Sequence, residues 1–61
     1  MTDIETWEDG SFRTWMWYSL REVKQKLATS GKEVFLKVRK HGEWEYWWKP
    51  RHCKRFRRGW A

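Results

Sequence analysis

Two residue–glycine pairs, Asp9-Gly10 and His41-Gly42, constrain the fold of this 61-residue chain more than any other feature. A residue followed by Gly suits the positive φ angles of a tight primed turn, and residues that favour β-structure flank both pairs. The clearer case is residues 32–49, KEVFLKVRKHGEWEYWWK. A two-residue turn at His41-Gly42 places Phe35 opposite Trp48 and predicts a β-hairpin of fixed register.

The two faces of this hairpin differ in chemistry, because side chains alternate across a strand. One face is mainly aliphatic and carries Val34, Leu36, Val38 and Trp47. The other mixes aromatic rings with cations and carries Phe35, Lys37, Arg39, Trp44, Tyr46 and Trp48. We predict that the aliphatic face packs against a helix and that the aromatic-basic face is left for a ligand.

The first half of the chain predicts a second hairpin, with strands near residues 3–8 and 11–18. A competing pattern exists, because apolar residues also recur there at helical spacing: Phe12, Met16, Leu20, Val23 and Leu27. We favour a strand followed by a helix over one long helix, since Ser19 and Glu22 have the spacing of a capping box. The helix is then expected over residues 20–29, with Gly31 just past its end.

These elements predict an α+β fold, a small antiparallel sheet of two hairpins in ββαββ order with one short helix on one face. The alternative is an αββ arrangement with one long N-terminal helix. Pro50 is expected to end the last strand, because proline cannot donate to a ladder. Residues 1–50 would therefore form one domain, followed by a basic C-terminal tail or short helix over residues 51–61.

Composition limits the compartment and the chemistry. Cys53 is the single cysteine, so no disulfide forms within the chain, and a lone thiol suits a reducing compartment. No apolar run approaches the ~20 residues that span a bilayer. The first ten residues hold four acids and lack the apolar stretch of a signal peptide. We expect a cytoplasmic protein without a membrane segment.

The residues that could support catalysis or metal binding are few. Glu43 and Glu45 share a strand face, but a hairpin tip is wet and the neighbouring residues are cations. His41, His52 and Cys53 lack the ligand spacing of a zinc site. We therefore expect no enzyme activity, no cofactor and no metal.

The basic character of the chain points to a polyanion partner. Its formal net charge is +6, and the last eleven residues carry five Lys or Arg and no acid. Exposed rings can stack on unpaired bases while cations contact phosphates. The predicted function is nucleic-acid binding, and the sequence does not choose between duplex DNA, single strands and RNA. The predicted contact residues are Lys37, Arg39, Trp44, Tyr46, Trp48, Arg51, Lys54, Arg55, Arg57 and Arg58.

Other interpretations of the same residues stay open. The aromatic face could be core under the tail or the first hairpin, or the interface of a homodimer. Trp and Arg are also common interface hot spots, which fits a protein-binding module or inhibitor, such as a phage-type factor, with an acidic protein partner. A third hypothesis, membrane-surface activity of the tail, is weaker because only Phe56 and Trp60 would serve as apolar anchors.

Overall fold

The computed structural model describes residues 3–60 and shows a five-stranded antiparallel sheet with one short helix. The elements are β1 (Asp3–Glu8), β2 (Ser11–Thr14), α1 (Leu20–Ala28), β3 (Val34–Lys40), β4 (Glu43–Lys49) and β5 (Arg57–Arg58). The strand order is β2-β1-β3-β4-β5, so β3 lies at the centre. The α+β class and the ββαββ order are confirmed, the long N-terminal helix does not form, and β5 is an addition.

Both predicted hairpin turns are present. Asp9 and Gly10 have φ angles of +48° and +88°, and His41 and Gly42 have +52° and +81°. Positive φ at both central positions is the signature of a type I′ turn, whose twist matches that of the flanking strands. The registers follow from these turns: Phe35 lies opposite Trp48, as predicted, and Trp7 lies opposite Phe12.

The second strand ends at Thr14, earlier than predicted, although Trp15 keeps the register of the hairpin opposite Ile4 and places its side chain in the core. Trp15 is only 2% exposed, and its backbone N–H donates to the Ile4 carbonyl over 3.0 Å. Its indole N–H donates to the buried Thr6 hydroxyl over 2.8 Å. Residues 15–18, which we expected in the strand, form the connection to α1.

The helix begins at the predicted capping box. The Glu22 N–H donates to Ser19 Oγ over 3.2 Å, and the Ser19 N–H donates to Glu22 Oε1 over 3.0 Å. The helix ends at Ala28 with Thr29 as its C-cap. Gly31 has a positive φ of +74°. It is the second residue after the C-cap, whereas we predicted it immediately after the helix.

The hydrophobic core lies between α1 and the aliphatic face of the sheet, as expected. It consists of Ile4, Trp15, Val23, Leu27, Val34, Leu36 and Val38, all at most 3% exposed. Trp47 and Phe56 are partly buried against it. We call this side of the sheet the helix face.

The C-terminal segment differs from the predicted tail or short helix. After a turn at residues 51–52, residues 57–58 pair with β4, and the Gly59 N–H donates to the Tyr46 carbonyl over 2.7 Å. The apolar residues explain this course, because Phe56 packs on the core while Trp60 packs on the opposite face. The ends of the predicted ranges, residues 1–2 and 61, lie outside the described residues.

Lys49 holds the turn that precedes this segment. Its side chain is fully buried, and its ammonium donates to the carbonyls of Lys32, Pro50 and Cys53. A buried ammonium is tolerated only where its donors find acceptors, and here three carbonyls provide them. The Lys49 ammonium thus connects the residues before β3 to the turn after β4.

Candidate nucleic-acid interface

The sheet surface opposite the helix combines aromatic rings with charged residues from all five strands. We call it the open face, and the strand registers assign to it Asp3, Glu5, Trp7, Phe12, Thr14, Phe35, Lys37, Arg39, Trp44, Tyr46, Trp48 and Arg57. Three of the rings on this surface are well exposed. The exposed fraction is 56% for Phe12, 41% for Tyr46 and 42% for Trp60. Trp60 follows β5 and packs onto the open face.

Trp60 packs into the aromatic cluster edge-on. Its ring centroid lies 4.8 Å from that of Tyr46, 5.4 Å from Phe35 and 5.8 Å from Trp7, with interplanar angles between 63° and 90°. Its indole N–H lies 2.8 Å from the Trp47 carbonyl and 3.3 Å from the Leu36 carbonyl. These contacts tether the C-terminal segment and leave the outer surfaces of the rings exposed.

An open groove of about 700 Å³ runs between these rings. We call it the central groove, and it is lined by Trp7, Gly10, Glu33, Phe35, Lys37, Tyr46 and Trp60. Its size lies within the ~300–1,000 Å³ typical of small-ligand sites. The lining is mostly aromatic, with one carboxylate and one ammonium as its only charged groups.

Two of the cations on the open face are paired with acids of β1. Lys37 Nζ lies 3.3 Å from Glu5 Oε1, and Arg39 Nη2 lies 3.1 Å from Asp3 Oδ2. Both cations also flank Trp44, at 4.4 and 5.4 Å from its ring centroid. The β1 acids therefore neutralise part of the positive charge that we expected on this face.

Arg57 is the third cation of the open face. Its guanidinium carbon lies 5.6 Å from the Trp48 ring centroid, and it makes no ion pair with an acid among residues 3–60. Lys54 and Arg55 are exposed in the segment that leads to it and are likewise unpaired within that range. The strand registers thus assign one unpaired cation of this segment, Arg57, to the open face.

The structure brings six of the ten predicted contact residues onto one surface: Lys37, Arg39, Trp44, Tyr46, Trp48 and Arg57. Lys54 and Arg55 lie in the exposed segment that precedes β5, outside the paired strands. The Arg51 guanidinium instead donates two hydrogen bonds to the Asp9 carboxylate, over 2.7 and 3.1 Å. Arg58 points to the helix face and lies 3.5 Å from Glu45.

A second group of cations surrounds Trp47 on the helix face. Lys24 Nζ lies 3.3 Å from the Trp47 ring centroid, and Arg58 lies 5.5 Å from it. Burial lowers the pKa of Lys24, and the neighbouring charges of Lys40 and Arg58 lower it further, whereas Glu45 opposes the effect. The ring packs under these cations and is not available for stacking.

Four residues of the interface were absent from the predicted set: Trp7, Phe12, Glu33 and Trp60. The register of the first hairpin already pairs Trp7 with Phe12, but only the pairing of β1 with β3 places them beside Phe35. Glu33 is held by Asp9, whose N–H donates to its carbonyl over 2.9 Å. Its carboxylate accepts the Trp48 indole N–H over 3.2 Å. No short-range sequence signal reports these contacts.

No known family model matches this chain, and neither a curated protein nor a solved structure is significantly similar to it. Among residues 3–60, the one helix is too short and too polar to cross a membrane. The same part of the chain holds no group of three or more His, Cys, Asp or Glu residues that could bind a metal ion. The interface must therefore be interpreted from its own chemistry.

Proposed function

We propose that this protein binds single-stranded nucleic acid on the open face. The observation that carries the proposal is the aromatic cluster around the central groove, whose exposed rings, Phe12, Tyr46 and Trp60, offer π-surfaces beside cations. Unpaired bases stack on such rings, and sheets that display aromatic side chains are a recurrent platform for single strands. A duplex keeps its bases stacked on each other, so we favour a single strand over a duplex.

The charges support the same proposal. Among residues 3–60, ten Lys and Arg residues make no ion pair with an acid, and the strand registers assign one of them, Arg57, to the open face. Arg57 lies on the open face, and together with Lys54 and Arg55 in the exposed segment before it, it would contact phosphates of the bound strand. The lone thiol of Cys53 supports a reducing compartment, so we expect the protein to act in the cytoplasm as a binding protein without catalytic chemistry.

A titration of single-stranded and duplex oligonucleotides of equal length at low salt tests this function. We expect tighter binding of the single strand, with an affinity that falls as salt rises by roughly 0.7 log units per phosphate contact. Tyr46→Ala should weaken binding by about 1–3 kcal/mol, the usual contribution of one stacked base. Trp17→Ala is the matched control, because Trp17 is 77% exposed and does not line the groove.

The proposal fails if the single strand does not bind at low salt, or if binding is insensitive to salt. It also fails if Trp17→Ala and Tyr46→Ala weaken binding equally, because the aromatic face would then have no special part in it.

A protein partner is the second candidate, and the ion pairs on the open face favour it. Glu5 and Asp3 balance Lys37 and Arg39, which leaves a ring-rich surface of low net charge, and aromatic residues are enriched at protein interfaces. A purified partner that binds after nuclease treatment and at high salt, and is lost with Tyr46→Ala, would support this function. Loss of that partner on nuclease treatment would support the nucleic-acid function instead.

A further inference from the structure

The central groove has different charges at its two ends. Glu33 and Lys37 both line it, with Phe35 between them along β3. Strand residues rise ~3.3 Å each, so the two charged residues are separated along the groove by roughly 13 Å. The groove therefore offers a carboxylate at one end, aromatic walls in the middle and an ammonium at the other end.

Glu33 is held at its backbone by Asp9 and at its carboxylate by Trp48. The Glu33 backbone N–H donates to Asp9 Oδ1 over 3.1 Å, and Arg51 fixes Asp9 in turn. The Trp48 indole N–H donates to Glu33 Oε2 over 3.2 Å. A carboxylate has about four acceptor sites, so Glu33 can accept further hydrogen bonds from a ligand in the groove.

We infer that the central groove holds one nucleotide of the bound strand and prefers a base that carries an exocyclic amino group. The inference rests on the proposed function. The phosphate would face Lys37, the base would stack on the exposed surfaces of Tyr46 and Trp60, and the amino group would donate to Glu33. A carboxylate accepts a hydrogen bond from the N4 amino group of cytosine, whereas uracil presents a carbonyl oxygen there that the carboxylate repels.

Binding of oligo(C) and oligo(U) of equal length, about ten nucleotides, tests this preference at neutral pH. The two bases differ at the position that would face Glu33, so phosphate contacts cancel in the comparison. We expect the wild-type protein to bind oligo(C) about tenfold more tightly, because a charged acceptor left facing a carbonyl loses a hydrogen bond. The Trp48 indole N–H signal in NMR spectra should also shift more with oligo(C), since that N–H is bonded to Glu33.

Glu33→Gln gives the sharpest variant. An amide oxygen still accepts the Trp48 N–H, while the amide group can donate to uracil, so the ratio of the two affinities should fall close to one. Glu43→Gln is the matched control, because Glu43 is exposed at the β3–β4 turn and lies outside the groove. This control should keep the wild-type ratio.

Equal, salt-dependent binding of both oligonucleotides by the wild-type protein would overturn the base preference and leave the proposed function standing. A preference that persists in Glu33→Gln would show that Glu33 does not read the base, which also overturns the inference. Binding of neither oligonucleotide at low salt would overturn both proposals. The wild-type comparison and the Trp48 signal decide the question even where the variant folds poorly.

Discussion

The ammonium of Lys37 lies 3.3 Å from the Glu5 carboxylate, which faces it across the pairing of β1 with β3. The two side chains are 26% and 32% exposed, so the pair is partly shielded from solvent. Lys37 also lies at one end of the central groove. A phosphate in the groove must therefore share Lys37 with Glu5 or displace it.

Removing the competing carboxylate should strengthen binding. We expect Glu5→Gln to tighten the complex with a single strand by about two- to fivefold, the size of a partly exposed ion pair. The dependence on salt should steepen by roughly 0.7 log units if one more phosphate contact forms. Isothermal titration over a salt series measures both quantities. Glu43→Gln removes the same charge at the hairpin tip, and an equal gain from it would show that only net charge matters.

Lys49→Met should destabilise the protein severely. The substitution leaves the carbonyls of Lys32, Pro50 and Cys53 without this donor, and we expect a loss of about 3 kcal/mol or more in the free energy of unfolding. Urea unfolding followed by circular dichroism measures the loss. Lys54→Met, at an exposed position, should change stability by less than about 0.5 kcal/mol. Similar values for the two variants would contradict the role that we assign to Lys49.

The hydrogen bond from Trp15 to Thr6 should appear as coupling between the two residues. Thr6→Val leaves the buried indole N–H without an acceptor and should cost about 1–3 kcal/mol. Trp15→Phe should cost at least as much, because it also removes buried ring surface. The double variant should lose less stability than the sum of the losses of the two single variants. Strict additivity in urea unfolding would indicate that this bond does not contribute.

The capping box predicts a pH dependence of helix stability. Hydrogen bonds from the Ser19 backbone and side chain lower the pKa of Glu22 below its ordinary value of 4.5, and Lys26 adds a smaller effect. A pKa lowered by folding contributes stability above the unfolded value, and that stability is lost as pH falls through the folded value. Ser19→Ala should bring the pKa of Glu22 closer to 4.5 in an NMR titration. An unchanged pKa in this variant would contradict the assignment.

Local signals predicted much of the fold. The two turns, the hairpin registers and the helix start depend on residues within a few positions of one another, such as Ser19 and Glu22. The aliphatic residues of β3 also predicted correctly which face receives the helix. Residue type misled the prediction of where β2 ends, because the aromatic residues Trp17 and Tyr18 favour strands but lie in the connection to α1.

Long-range contacts explain what the sequence did not predict. The pairing of β1 with β3 brings together residues some thirty positions apart, and it sets Glu5 against Lys37. The tail's basic residues suggested a free arm or a helix, whereas Phe56 and Trp60 pack on opposite sides of the sheet and draw residues 57–58 into it. The central groove depends on both events, so only its β3 and β4 residues were recognisable beforehand.

The indole N–H signals of the tryptophans in nitrogen–proton NMR spectra test the central claim most directly, because those residues sample both faces of the sheet. Addition of a short single strand should shift the signals of Trp7, Trp48 and Trp60, which lie in or beside the central groove. The signals of Trp15, in the core, and of exposed Trp17 should stay in place, and a duplex of the same length should cause smaller shifts. Unchanged groove signals, or shifts centred on Trp17, would contradict single-strand binding on the open face.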